Sequence, residues 1–173
     1  MPNIRTAGLA DAIGLAELAE KTFRETFAGV NSPEDMELHC KANFAEAIQA
    51  AEISNPEMAT LVCEEAGGLL AFAQLGWGKA PPCVTALRPG EIKRLYVDAP
   101  WHGRGLAQDL MSACIDLFRR RLSDVAWLGV WERNPRAIAF YRKVGFAAVG
   151  EHRFQLGTDL QRDIVMARPL GSG

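Results

Sequence analysis

The run EIKRLYVDAPWHGRGLAQDLM, from Glu91 to Met111, holds a carboxylate, a glycine turn and the start of an amphipathic pattern. Gly103 and Gly105 carry no Cβ, so the backbone can enter conformations closed to other residues and bring several N–H groups toward one ligand. A helix opening after such a turn adds unpaired N-terminal amides and its positive dipole end, a combination that favours phosphate or pyrophosphate. A P-loop would need a Gly-Lys-Ser/Thr ending, and a dinucleotide fingerprint would need glycine or alanine three residues after Gly105, where Gln108 stands. Neither pattern is present. What is present is His102-x-x-Gly105-x-Ala107, directly after an apolar, strand-like run.

That spacing resembles the Gln/Arg-x-x-Gly-x-Gly/Ala pyrophosphate turn of the GNAT superfamily, the acyl-CoA-dependent N-acyltransferases. A second block, WLGVWERNPRAIAFYRKVGFAAVG from Trp127 to Gly150, resembles the strand, helix and strand that close the same family's fold. Asn134, Ala137, Tyr141, Gly145 and Phe146 fall where that pattern expects them. On residue chemistry alone Gly145 also reads as a helix C-cap and Phe146 as a core residue. The resemblance implies acetyl-CoA as cosubstrate, no metal, and direct acyl transfer to an amine. It places the diphosphate on Gly103, Arg104, Gly105 and Ala107, mostly through main-chain amides, with Arg104 and Lys143 adding charge, and counts His102, Leu106 and Gln108 among the cofactor-binding residues. His102 is a departure, because the family usually has Gln or Arg there, and whether it contacts phosphate or shapes the turn is left open by the sequence. The main chain of Leu95, Tyr96 and Val97 is implied to hold the pantetheine arm as an added strand, and Asn134, Ala137 and Tyr141 to line the cofactor.

Attack of an amine on a thioester needs a neutral amine, a polarised carbonyl and a proton for the departing thiolate. Glu91, fourteen residues before Gly105, stands where the family resembled here carries a glutamate base. The other reading of Glu91 is a solvated charge at a strand end. An unpaired strand N–H, at Leu95 by the resemblance, would polarise the carbonyl. Tyr141 matches the family's proton-donating tyrosine, although a buried tyrosine capping a backbone group has the same signature. Asn134 equally reads as the N-cap of its helix. Cys114 falls inside an amphipathic helix and reads as a small buried apolar residue.

The elements that must position these residues follow from patterning. Asn3 to Ala7 reads as a strand and Leu9 to Phe27 as a helix, with Leu9, Ile13, Leu15, Ala16, Leu18 and Ala19 at helical spacing. Ser32 before Pro33, with Glu34 and Asp35 in the first turn, starts a second helix. Asn43 is expected to cap a third, ending near Ile53. Ala59 to Glu64 and Leu69 to Trp77 read as a hairpin closed by Ala66-Gly67-Gly68. Gly78 to Gly90, with Pro81, Pro82 and Pro89, reads as a loop beside the site. Then come a strand to Val97, a helix from Gly103 to Arg121, a strand from Val125, a helix from Asn134 to Lys143, and strands near Phe146 to Phe154 and Leu160 to Ala167. This order gives an α/β (α+β) fold, a mixed, mostly antiparallel sheet with helices on both faces. The GNAT fold that it resembles would make the Glu91 and Val125 strands parallel neighbours that part at their ends, with acyl-CoA in the gap.

The 173 residues are one domain's worth, expected over 1–170, with 171–173 as a tail. Apolar residues at 49% and charged residues at 23% are ordinary for a globular protein, and a net charge of −2 gives no reason to expect nucleic acid. No apolar run approaches the ~20 residues that span a bilayer. Cys40, Cys63, Cys83 and Cys114 show no metal or disulfide spacing and no signal peptide opens the chain, so free thiols in a cytoplasmic protein are expected. A homodimer is allowed by the sequence and not encoded in it. Beyond the superfamily, TFRETFAGVNSPEDM, the Trp127 block and the tail EHRFQLGTDLQRDIVMARPL resemble the PaiA-type polyamine N-acetyltransferases, which implies spermidine or spermine as acceptor. Glu25, Glu34, Asp35 and Glu37 are carboxylates that could draw a polycation. Protein N-termini, amino acids and aminoglycosides fit the same core, and a non-catalytic acyl-CoA sensor or an ATP-binding module would use the same turn.

Overall fold

The computed structural model describes residues 1–171; Ser172 and Gly173, the rest of the expected tail, lie outside the described residues. The chain runs β1 (Asn3–Thr6), α1 (Ala12–Phe27), α2 (Pro33–Asn43), α3 (Glu46–Ser54), β2 (Met58–Glu65), β3 (Gly68–Gly76), β4 (Pro89–Val97), α4 (Leu106–Arg120), β5 (Val125–Trp131), α5 (Pro135–Lys143), β6 (Ala147–Leu156) and β7 (Asp159–Pro169). The strands form one seven-stranded sheet in the order β1-β2-β3-β4-β5-β7-β6. Among the described residues only β4 and β5 are parallel.

Helices cover both faces of that sheet. On one face α4 buries Leu106, Leu110, Met111, Cys114, Ile115 and Phe118 against Ile92, Ala126, Leu128 and Met166. On the other, α1 and α2 bury Leu15, Phe23, Phe27, Met36 and Cys40 with Val62, Phe72 and Trp131. The β2–β3 turn is Ala66-Gly67, both residues left-handed, which suits the twist of a tight hairpin. Ser32 caps α2 as its position suggests, its Oγ accepting from the Asp35 N–H at 3.1 Å.

Three boundaries differ from the sequence reading. The segment Leu9–Asp11 is a 3-10 turn, and the α-helix starts at Ala12. The glycine turn stays outside α4, which begins at Leu106 rather than Gly103. Asn43 does not cap α3. It is the last residue of α2, where its Nδ2 donates to the His39 carbonyl at 2.9 Å, and Ala45 is the N-cap of α3 with no side-chain bond. Burial of Phe44 against Phe23, ring centroids 5.3 Å apart, fixes that corner instead of a polar cap.

His39 stacks on Phe23 at 4.2 Å and faces Phe44 and Phe154. Burial, assisted by the Arg94 charge, pushes its imidazole down to about 4. The unfolded chain therefore takes up a proton near pH 6.5 that the folded protein refuses until about pH 4. Stability falls as pH drops through that window. Between pH 7 and 4.5 the loss is expected to be about 2 kcal/mol, read from urea midpoints, and His39→Phe is expected to flatten it. An unchanged slope in the variant would remove His39 as the cause.

Candidate active site

β4 and β5 pair only at Pro89↔Val125, Gly90↔Ala126 and Glu91↔Trp127. Beyond Glu91 the two strands part, although β4 continues to Val97 and β5 to Trp131. On its other side β4 stays bonded to β3 up to Ala71↔Val97, with a bulge at Lys93, because Gln74 pairs with Arg94 and Leu75 with Ile92. A bulge turns the strand locally and re-aims the side chains beside it. The result is an edge of β4, from Ile92 to Val97, with no strand on its β5 side.

Two hollows meet at that gap. The larger, about 560 Å³, lies between the end of β4, the glycine turn and α5, lined by Leu95, Tyr96, Val97, His102, Gly103, Gly105, Leu106, Ala107, Gln108, Asn134, Ala137, Tyr141 and Lys143. Thr22, Glu25 and Thr26 of α1 close its far rim. The smaller, about 230 Å³, opens toward α1 and is lined by Phe23, Phe27, Glu91, Arg94, Trp131, His152, Phe154 and Asp163 among others. Leu95, Tyr96, Asn134, Ala137 and Tyr141 line both. They form the neck between the two spaces. A separate hollow of about 500 Å³ over the β6–β7 ribbon is lined by the ion-paired Glu132, Glu151 and Arg162 and includes neither the glycine turn nor Tyr141.

The mouth of the larger hollow suits a diphosphate. Gly105 is the N-cap of α4 with φ +83°, and Gly103 has φ +75°, a region that other residues enter at a cost. The first α4 bond runs from the Asp109 N–H to the Gly105 carbonyl at 3.1 Å, and no side chain caps the helix. The amides of Leu106, Ala107 and Gln108 therefore have no helical acceptor. A Cβ built on either glycine meets nothing within 4 Å, so the space over these amides is open. His102 lines the same hollow. Its Nε2 donates to the Val97 carbonyl at 2.7 Å, tying the turn to the end of β4. The Arg104 guanidinium lies over the Trp101 ring at 4.9 Å, outside the residues that line the hollow.

Asn134 caps α5, its Oδ1 accepting from the Ala137 N–H at 3.2 Å, which fixes the helix that carries Tyr141. The α5 C-terminus closes with Phe146 N–H bonded to the Tyr141 carbonyl at 2.9 Å. The Tyr141 ring packs against Phe140 and Phe146, and burial pushes its phenol well above the ordinary tyrosine range. It stays protonated at neutral pH. Burial likewise pushes the Cys114 thiol up to about 12, so it is a poor nucleophile and serves as core. Glu91 holds the last paired position of β4, partly buried, with Lys93 Nζ 3.3 Å from its carboxylate.

Of the four acidic residues near the first helices, Glu25 alone lines a hollow that meets the neck. Asp35 is a strut, its Oδ1 accepting at 2.6 Å from both the N–H and the hydroxyl of Thr158 in the β6–β7 turn. Glu37 pairs with Arg24 at 2.8 Å, and Glu34 faces solvent. The sequence reading missed Asp163, Trp131 and Gly129 in the smaller hollow. The signal for Asp163 was a charged residue at an inward position of an alternating strand, Asp163, Val165, Ala167. Among the described residues no group of three or more His, Cys, Asp or Glu is placed to hold a metal ion, and no helix is long and apolar enough to cross a membrane.

A sheet opened between two parallel strands, with a free helix N-terminus at its mouth and a partly buried tyrosine at its neck, is an arrangement that an acyl-CoA-dependent transferase can use. Residues 15–146 match the Acetyltransferase (GNAT) family, and the chain belongs to it. It is an N-acetyltransferase with acetyl-CoA as cosubstrate. The chain is 32% identical over 162 residues to an N-acetyltransferase of Mycobacterium tuberculosis described as uncharacterized, covering 94% of this chain and 99% of that one. A second such N-acetyltransferase, from the pepI 3′ region of Lactobacillus delbrueckii subsp. lactis, is 31% identical over 153 residues, 88% of each chain. Among solved structures the fold matches PaiA N-acetyltransferase of Thermoplasma acidophilum in complex with coenzyme A, with a TM-score of 0.79 at 20% identity over 98% of this chain and 99% of that one.

Proposed function

We propose that the chain acetylates a primary amine of a small molecule, with spermidine and spermine as the acceptors. The observation that carries this reading is the neck. Tyr141 and Leu95 stand where the glycine-turn hollow meets a second, aromatic chamber that reaches Glu91, so a thioester in one and an amine in the other can meet at these residues. The polyamine acceptor is supported by the resemblance of the sequence flanks to PaiA-type enzymes and by the fold shared with PaiA.

In this reading the amides of Leu106, Ala107 and Gln108 bind the diphosphate, with Lys143 adding charge at the rim. The open edge of β4 at Leu95 and Val97 aligns the pantetheine arm, and a main-chain N–H at Leu95 polarises the carbonyl. His102 holds the turn in register with β4. The amine nitrogen forms a bond to the acetyl carbon as the carbon–sulfur bond breaks. Glu91 accepts the proton that the amine loses, directly or through water, and Tyr141 returns a proton to the thiolate.

Release of the coenzyme A thiol across a panel of amines tests the activity. Turnover with spermidine or spermine above that with amino acids and peptide N-termini supports the acceptor, whereas tight coenzyme A binding with no thiol release on any amine would make the protein a sensor. Glu91→Gln is expected to lower the rate about tenfold or more at pH 7. The deficit is expected to shrink as pH approaches the amine's own pKa, about 10.4 for an alkylamine, because the acceptor then arrives neutral. A pH-independent deficit would assign Glu91 to positioning.

A further inference from the structure

The smaller chamber contains a carboxylate that the transfer chemistry does not use. Asp163, on β7, is 7% exposed, and its Oδ1 is buried with no hydrogen-bond partner. Burying a carboxylate oxygen without a donor is costly. Its neighbour across the strand pair is His152, whose Nε2 lies 3.5 Å from Oδ2, the far limit of a useful contact.

The cations of the chamber are already engaged. Arg94 bonds Glu52 at 2.7 Å, also donates to Gln74, and lies over the Phe44 ring. Lys93 faces Glu91 at 3.3 Å. Asp163 is left as the negative charge without a full partner. Burial raises its carboxyl above the ordinary range while His152 pulls it partly back, as expected for an anion short of a counter-charge. Glycine at this point of β5 makes room for the Asp163–His152 pair itself, at the wall of the chamber. A Cβ on Gly129 would stand 2.8 Å from His152 Nε2 and 3.0 Å from Asp163 Oδ2. Phe27, Trp131 and Phe154 line the same chamber, giving apolar and π surface suited to methylenes and to a cation.

We propose that Asp163, with His152 beside it and the aromatic walls around it, binds a second cationic nitrogen of the acceptor, one that is not acetylated. The inference rests on the acetyltransferase reading above and names the residue that would recognise the non-reacting end of its polyamine acceptor. The nitrogen that attacks must be neutral, so a permanent carboxylate clamp on it would oppose reaction. Asp163, His152, Phe154 and Gly129 line the chamber but not the larger hollow, which puts them away from the neck where transfer would occur. A carboxylate on that wall suits the far end of a two-headed acceptor.

The test compares 1,4-diaminobutane with butylamine, which differ by one ammonium, in thiol-release assays on the whole protein. The wild-type protein is expected to favour the diamine in kcat/KM by about tenfold or more, the scale of one charge-assisted hydrogen bond. Asp163→Asn is expected to bring the diamine-to-monoamine ratio near unity, chiefly through KM for the diamine, with coenzyme A affinity retained by calorimetry. Gly129→Ala gives a second, independent perturbation of the same pair and is expected to erode the ratio as well. Equal use of the two amines by the wild type, or a ratio unmoved in both variants, overturns the subsite while leaving acetyl transfer standing. Absence of thiol release with every amine overturns both readings together.

Discussion

Valine in place of Gly105 is expected to weaken coenzyme A binding by more than about a hundredfold, with only a small change in melting temperature. Gly105 has φ +83°, and an L-residue there costs about 1–2 kcal/mol, with a β-branched side chain at the upper end. Among the described residues other than its chain neighbours, nothing lies within 4 Å of the new Cβ, so the side chain meets no collision there. If the turn relaxes to relieve φ, the amides of Leu106, Ala107 and Gln108 rotate away from their common focus. If it holds, the isopropyl group occupies the open space above those amides. Either way the diphosphate loses two or more charge-assisted main-chain hydrogen bonds, on the order of 3 kcal/mol, the equivalent of a hundredfold in affinity. Gly105→Ala, with less bulk, is expected to fall between the two. Calorimetric titration with coenzyme A reads the effect and a thermal melt separates it from unfolding; an affinity unchanged in the valine variant would remove the glycine turn from the cofactor site.

The glycine turn could be read from sequence because its cause is local: two residues without Cβ ahead of an amphipathic run. The Ser32 cap and the Ala66-Gly67 hairpin were legible for the same reason. The parting of β4 from β5 was not in the local pattern and came only from family resemblance, since a register that stops at Glu91↔Trp127 depends on how two separate strands lie. Asp35 shows the limit from the other side. An acidic residue in a helix first turn has a sufficient local explanation in the dipole, yet its actual partners are the N–H and hydroxyl of Thr158, far along the chain. Asn43 misled in the same way, a good capping residue overruled by the burial of Phe44. Asp163 was missed; alternation along its strand could have marked it as an inward charge, but its meaning required Gly129 on the neighbouring strand, and no spacing within the tail contains that information.

Tyr141→Phe is expected to lower kcat by about a hundred- to a thousandfold while leaving coenzyme A affinity within a factor of about two, which separates chemistry from binding. The ring is held by Phe140 and Phe146 and the backbone by the α5 cap and C-terminal bonds, so removing one oxygen leaves the packing as it was. No protein partner of the hydroxyl has to be abandoned in the variant. Burial holds the phenol above the usual tyrosine range, so it is protonated at neutral pH and available as a donor. Without the hydroxyl the thiolate must leave unprotonated or await water, and that cost falls on the transfer step. A thioester with a more acidic thiol, which needs no proton to depart, is therefore expected to lose much less rate in the Phe variant than acetyl-CoA does. Equal losses on the two thioesters would make Tyr141 a packing residue, and wild-type turnover with acetyl-CoA would remove it from the mechanism.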